Sequence, residues 1–437
     1  MFDNIYFIGF GAVAHALLET FNLEKSFLKI PLIIIEPKDI KHIDLLDNRN
    51  YKHIKKGITK DNFKDLLKNI NNKTLIIDLS VEVDSVMLIK YAKEKNSFYI
   101  NTSVENWHDF HNDDKFKTNY DDFKDNTLYK RELEVDNILN KTKKTRIVNM
   151  GFNPGLINVY GKLGLKKYAK NKGFKLKKGN YAKLAYELGL TDIFIVEYDS
   201  QKTNIKPKKN IFYNSWSSVG MESEVADHVM LSLNNDDLKE YKKEIIKPTD
   251  GLKDTHIRFL PIRGMDITTK SITLDNKGKS FEYEGFLIPH AEIFSMSRFL
   301  QYKGNAPSIM YIYRPSDIAI KSLDNFRNNN YLPLSDYYVL ESKDIKKNGY
   351  DSIGALLQFS NGEKFWAGSV LTIEQTKKMG YKISGPTTVQ VAGCLYSTID
   401  FIYNNPNYGF NEAETLPSDI IFKNAKKFMG KSYFKLI

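Results

Sequence analysis

The sequence predicts an α/β chain in two parts, a parallel sheet covered by helices on both faces followed by a mixed α+β region. Three observations predict it. Over residues 1–150, short and wholly apolar runs alternate with amphipathic stretches such as DNFKDLLKNI and VDSVMLIKYAKEK. Strands apolar on both faces need helices on both sides, which is the pattern of a parallel sheet. From residue 151 that alternation stops, and 437 residues exceed what one domain ordinarily holds.

The runs of the first part are NIYFI (4–8), PLIIIEP (31–37), TLIIDLS (74–80), FYINTS (98–103) and TRIVNM (145–150). In the second part, LINVYGKLGLKKYA (156–169) has helical spacing, and TDIFIVEYDSQ and NIFYNSWSSVG read as strands. EVADHVMLSL (224–233) reads as a helix. KSITLDNKGKSFEYEGFLI reads as a hairpin turning at Asn276–Gly278. MYIYRP (310–315) and KFWAGSVL (364–371) are further strands. VQVAGCLYSTIDFIYNNP (389–406) is a helix stopped by Asn404, Asn405 and Pro406. The Lys-rich stretch 166–180 and the Asn-rich stretch 325–332 read as surface connections.

A hydrophobic fraction of 42% with 13% aromatics excludes global disorder. No apolar run has the length of a membrane span. The first residues, MFDNIYFIGFGAVAHALLETF, lack a basic leader and a small-residue cleavage site, so no secretory signal is expected in them. The single cysteine, Cys394, excludes an intramolecular disulfide framework and cysteine-rich metal sites, and suits a reducing, cytoplasmic compartment. No His/Cys/Asp spacing points to a catalytic metal. The net charge of +11 suggests a nucleic-acid partner, but only eight of the 64 basic residues are Arg. Arg is the side chain suited to bidentate base and phosphate contacts, so no nucleic-acid partner is expected.

Gly9, Gly11 and Ala14 form G-x-G-x-x-A between the first strand and the first helix. Gly9 permits a tight turn, Gly11 a close backbone approach to a pyrophosphate, and Ala14 close helix–sheet packing, with the phosphates on the helix N-terminus. Glu36 ends the second strand, where an acid accepts hydrogen bonds from an adenosine ribose. The pattern predicts a Rossmann-type dinucleotide site. Glu36 favours NAD over NADP because a carboxylate repels a 2′-phosphate; Lys38 argues the other way. Carboxyl ends of parallel strands face the ligand, so Ser80 and Thr102 fall by the cofactor, and Glu82, Glu105 and Trp107 near the nicotinamide. Ser80 and Ser103 fit equally well as helix caps.

The sixth strand leads into Gly151-Phe152-Asn153-Pro154-Gly155, a corner that points Asn153 inward unless that residue only stabilises its own turn. Glu197 lies in an apolar strand, where a lone carboxylate is costly to bury. Trp216, Glu222 and Glu224 follow. Acids beside an indole in a basic protein suit a cationic ligand, although a core Trp with surface Glu residues has the same composition. His290, just past Pro289, could move protons or be structural.

With these segments in hand, the chain resembles the homospermidine synthases of the bacterial type, within the saccharopine dehydrogenase-like group. FIGFGAVA, DLSVEVDSV, INTSVENW, GFNPGLINVYGKLGL, IFIVEYDSQ, FYNSWSSVGMESE, GFLIPHAEIFS and the region around TTVQVAG carry the resemblance. It implies NAD-dependent aminobutyl transfer from putrescine, or spermidine, to a second putrescine. An imine forms, ammonia leaves, and the same cofactor first oxidises and then reduces. It implies polyamine-site residues at Glu82, Glu105, Asn153, Glu197, Trp216, Glu224 and His290, and cofactor contacts at Asn153 and Pro154. Glu82 stands where the family suggests Asp. The resemblance also implies a homodimer and three segments: an NAD-binding domain over 1–150, a substrate and dimerisation domain over 151–384, and a tail, 385–437, returning to the first domain. Gly385, Pro386 and Thr387 then fall near the cofactor, unless Thr387 is a helix cap.

Two other readings remain open on the sequence. A saccharopine dehydrogenase-like or carboxynorspermidine-type reductase acts on amino acids and needs Arg to hold carboxylates; Arg314 is the residue that could supply it. A non-catalytic NAD-binding regulator has no need of Glu197, Trp216 and Glu224 together.

Overall fold

A computed structural model describes residues 2–107, 119–138, 143–174 and 179–437. Six parallel strands follow the N-terminus: β1 (Asn4–Ile8), β2 (Leu32–Ile35), β3 (Tyr51–Ile54), β4 (Thr74–Asp78), β5 (Phe98–Asn101) and β6 (Arg146–Ile147). Their order in space is β3-β2-β1-β4-β5-β6. The order reverses between β1 and β4, whose ends align Ile8 with Asp78. That reversal is where open α/β sheets bind their ligands. β6 is shorter than the apolar run around it. The chain bends at Asn149, which adopts φ 57° and donates its N–H to Asn101 Oδ1 at 2.9 Å.

The second part carries β7 (Leu190–Asp199), β8 (Ile211–Asn214), β9 (His228–Ser232), β10 (Ile257–Arg263), β11 (Thr268–Leu274), β12 (Ser280–Ile288), β13 (Ser308–Arg314), β14 (Asp336–Val339), β15 (Tyr350–Phe359) and β16 (Lys364–Thr372). The main path of this sheet runs β10-β9-β13-β7-β15-β16, and β12 pairs with β13 as well as β11. Along β7 the side chains alternate between faces. Ile193 and Ile195 join the main core, while Val196 lies in a second core with Phe194 and Tyr198 packed against it. Glu197 and Asp199 share the Ile195 face by this period of two.

The tail belongs to both sheets. The helix Pro386–Asn404 begins with Pro at its first turn, and β17 (Phe410–Asn411) adds a parallel strand beside β6. β18 (Lys431–Leu436), however, pairs antiparallel with β16 of the second sheet. The entry to the tail helix is pinned to the helix Ala12–Leu23. Buried Glu19 accepts the N–H groups of Lys382, Ile383 and Ser384 at 2.7, 3.1 and 3.0 Å.

Three expectations are corrected. The segment 224–233 is not a helix: the helix Ser218–Ala226 ends at extended Asp227, and β9 begins at His228. Val229, Met230 and Leu231 are buried in the sheet beside β10, so tertiary pairing overrides the helical spacing. The strand expected over 210–220 stops at Asn214, because the Ser217 hydroxyl accepts the Gly220 N–H at 3.0 Å and caps that helix. Lys166–Asn171 and Asn325–Asn328 are helical rather than connections; residues 175–178 of the first stretch lie outside the described residues.

Candidate active site

Gly9 adopts φ 79°, and a Cβ there would stand 2.8 Å from Leu79 O. The turn therefore presses on the end of β4, and only glycine fits. Gly11 differs: a Cβ on it would meet nothing within 4 Å. It is the N-cap of the helix Ala12–Leu23 and no side chain caps that end, which leaves the first-turn N–H groups to an anion. Ala14 is fully buried against the sheet. Glu36 accepts the Phe10 N–H at 2.9 Å and the Lys38 N–H at 3.0 Å, which places a carboxylate beside the turn. The residues present fit a dinucleotide, and a ribose edge lined by a carboxylate fits NAD.

At the end of β4, Asp78 is fully engaged. It accepts Ser80 Oγ at 2.5 Å, the Ser80 N–H at 3.2 Å, Tyr99 OH at 2.7 Å and Ser85 Oγ at 3.2 Å. Burial pushes Asp78 up to about 6 despite these donors. Ser80 therefore braces this turn and is not a helix cap. Asp84 caps the next helix, accepting the Met87 N–H. Ser103 does not cap either; it donates to Glu105 Oε1 at 2.7 Å. Glu82 adopts φ 66°, a strained conformation for a side chain of its length. Its carboxyl is raised by partial burial and by Glu105, with Lys38 opposing. Thr102 lies against Gly151, at the start of the Asn153–Pro154 corner. Trp107 packs against the apolar cluster beside the first sheet, which includes Val83 and Val104.

The corner reaches the second sheet. Asn153 Nδ2 donates to Glu197 Oε2 at 2.8 Å, and Tyr311 OH donates to the same oxygen at 2.5 Å. Burial raises Glu197 to about 7, against these two donors and His290, with Asp199 adding to the rise. His290 lies 4.7 Å from the Tyr311 ring, centroid to centroid, and its Nδ1 meets Glu292 Oε2 at 2.5 Å. Burial disfavours charge on His290, but Glu292, Glu224 and Glu197 outweigh it and raise the imidazole to about 9. Glu224 is raised to about 8 by burial and by Glu105, Glu292 and Glu197, with His290 opposing. Trp216 sits at the bend between β8 and the following helix, and its Nε1 donates to Tyr313 OH at 3.2 Å.

Glu197, Glu224, Asn153 and His290 are thus brought together, with Glu105 in electrostatic reach and Trp216 tied to the same strand through Tyr313. Glu222 is not part of the group. It is buried and accepts the Leu334 N–H at 3.0 Å and Tyr337 OH at 2.7 Å. Two residues on a helix turn about 200°, so Glu222 and Glu224 face opposite sides. Thr387 is not a cap: it donates to Asp351 Oδ2 at 2.8 Å and accepts from Gln201 Nε2 at 2.7 Å. Glu292, Tyr311 and Tyr313 were not expected. Their signals are the H-A-E spacing and the Y-I-Y alternation on β13. Arg314 donates to Pro315 O at 2.7 Å and pairs with Asp317 at 2.5 Å; it reaches toward the cluster through Asp199, whose carbonyl it meets at 3.4 Å. Among the described residues no group of three His, Cys, Asp or Glu could hold a metal ion.

Fold and site together define a dinucleotide-dependent enzyme of dehydrogenase architecture, its clustered side chains being acids, a histidine and aromatics. Residues 5–147 match the family described as the saccharopine dehydrogenase NADP binding domain. The chain is similar to homospermidine synthase of Blastochloris viridis, 27% identical over 94% of this chain and 86% of that protein. It is also similar to that of Mesorhizobium japonicum, at 26% with the same coverage. The crystal structure of homospermidine synthase from Legionella pneumophila, in complex with NAD, superposes with a TM-score of 0.85 at 25% identity, covering all of this chain and 91% of that one. Yeast saccharopine dehydrogenase shares the fold, with a TM-score of 0.52 at 10% identity over the full length of both chains.

Proposed function

We infer that the protein is an NAD-dependent homospermidine synthase, joining two putrescines, or spermidine and putrescine, through an imine with loss of ammonia. The observation that carries this reading is the Glu197–Glu224–His290 cluster beside Trp216, with the nearby Arg314 paired with Asp317. Ammonium groups bound there favour the ionised forms of Glu197 and Glu224, so the cluster suits an amine better than the carboxylate of an amino-acid substrate.

Gly9, Gly11, Ala14 and Glu36 would hold NAD, with Ser80, Thr102, Asn153 and Pro154 along its nicotinamide side. NAD bound there supplies the hydride exchange, taking one from the amine-bearing carbon and returning one to the final Schiff base. The amine must be neutral before its carbon gives up a hydride. Glu197 and Glu224, raised to about 7 and about 8, are matched to take that proton near neutral pH. Both donors to Glu197 use Oε2, which leaves Oε1 to meet the substrate nitrogen. With Nδ1 held by Glu292, His290 has Nε2 to deliver a proton to the departing ammonia. The Trp216 ring face steadies the cationic imine. Glu82 and Glu105 hold the distal ammonium.

Long-range charge opposes this substrate, since the chain carries +11 and putrescine is a dication. Screening limits that repulsion to about 8 Å at physiological salt, so the local carboxylates decide binding. A homodimer in the cytoplasm belongs to the same reading and is supported by the resemblance; light scattering of the purified protein tests the assembly. No helix among the described residues is long and apolar enough to cross a membrane. Incubation with NAD and putrescine tests the reaction: homospermidine and ammonia are expected without net NADH.

A further inference from the structure

Strand β13 places Tyr311 and Tyr313 on one face, two residues apart, with their rings parallel within 10° and 5.8 Å between centroids. Each hydroxyl meets a different member of the cluster. Tyr311 OH donates to Glu197 Oε2 at 2.5 Å, and Tyr313 OH accepts the Trp216 indole N–H at 3.2 Å. Both rings are buried. Burial and the neighbouring carboxylates raise both phenols well above their ordinary range, so each keeps its proton. Tyr311 is therefore an obligate donor to Glu197. The strand sets the spacing: alternate residues stand about 6.4–6.8 Å apart along an extended chain.

We propose that Tyr311 and Tyr313 are positioning residues, with β13 acting as a ruler that fixes the Glu197 carboxylate and the Trp216 indole relative to one another. Tyr311 does this with Asn153, which donates to the same oxygen from the corner that follows β6. Neither tyrosine needs to touch the reacting atoms. Each removes a rotational freedom from a group that does, and an aimed carboxylate and ring cost no reorganisation when cationic charge develops. The inference rests on the diamine reading for its catalytic meaning. Its geometric content, that Tyr311 governs the ionisation of Glu197, stands apart from the substrate.

The groups facing Glu197 define what a titration reads. Asp199 shares its strand, and Asp351 on β15 lies opposite Asp199. His290 and Glu224 come from the helix ends beyond, and Tyr283 and Tyr313 from β12 and β13. Among the described residues, the side chains that donate to the Glu197 carboxylate are Tyr311 and Asn153. Removing the Tyr311 donor favours the protonated acid, because hydrogen bonds to a charged group stabilise the charged form.

The test follows the protonated-carboxyl infrared band of Glu197, identified by its loss in Glu197→Gln, across pH in wild type, Tyr311→Phe and Tyr313→Phe. Tyr311→Phe is expected to raise the midpoint by about one unit or more. Tyr313→Phe carries the same loss of one hydroxyl, so it controls for folding. It should leave that midpoint in place and shift the Trp216 emission, read against Trp216→Phe. An unmoved midpoint in a folded Tyr311→Phe protein overturns the inference, as does unaltered emission in Tyr313→Phe. The same variants assayed for homospermidine should show the acid limb of the kcat/KM profile rising with the infrared midpoint. Wild type that makes no homospermidine while the infrared midpoint still moves contradicts the diamine reading and leaves the positioning role standing.

Discussion

Asn153 and Glu197 meet at 2.8 Å, amide nitrogen to carboxylate oxygen. The corner that closes the first sheet therefore touches the strand at the centre of the second. The amide is neutral, so it orients the acid without cancelling its charge, and the acid stays available to a cation.

Neutralising the clustered acids should be costly. Glu197→Gln and Glu224→Gln are each expected to lower kcat/KM for putrescine by about 10²-fold or more, the range of a lost general base. Glu94→Gln, which removes an exposed acid paired with Lys95 at 3.7 Å, should change it little. Steady-state kinetics on the three variants decide; equal effects contradict the acidic cluster.

The two glycines of the turn should behave differently. Gly9→Ala forces a side chain into φ 79° with Leu79 O at 2.8 Å. It should cost about 1–2 kcal/mol or more of stability along with NAD binding. Gly11→Ala has open space around its new methyl group, so its Tm should match wild type while NAD affinity falls. Calorimetry and NAD titration of both variants check this.

Trp216→Ala should retain NAD and lose most turnover, because the ring face rather than the fold is removed. Trp216→Phe should keep part of the rate, since a smaller ring attracts cations more weakly. Normal turnover in Trp216→Ala contradicts the role.

The clustered groups make stability depend on pH in one direction. His290 is raised from 6.5 to about 9, so its contribution is complete below pH 6.5 and lost as pH rises through 9. Glu224 is raised from 4.5 to about 8, so the folded state also holds that proton more tightly, and stability falls as pH rises from 4.5 through 8. Without diamine, the denaturation midpoint should fall between pH 6.5 and 9. Glu224→Gln should flatten the decline, and added putrescine should oppose it. Urea titrations across this range read all three.

Much of this was legible in the residues. The apolar runs and the glycine turn marked the first sheet because burial on both faces leaves a continuous signal. β3 left none: Tyr51 and Lys52 are exposed at the sheet edge, so the strand lacks an apolar run. β9 was hidden because HVMLS follows a real helix and its spacing can be read either way. In the site, Glu197 and Trp216 stood out as a carboxylate in an apolar strand and an indole among acids. Tyr311 and Tyr313 did not, since alternating tyrosines on a strand look like core until the hydroxyl partners are known. Glu222 and Glu224 could be told apart only by helix phase, which depended on where Ser217 capped the helix.

The most direct test of the central claim is the mass of the product made from putrescine deuterated at its amine-bearing carbons, with NAD and no added NADH. The account predicts homospermidine that has lost no deuterium and no accumulation of reduced cofactor, because the hydride removed from one putrescine returns to the product. Absence of homospermidine, or product lacking deuterium while NADH accumulates, would contradict it.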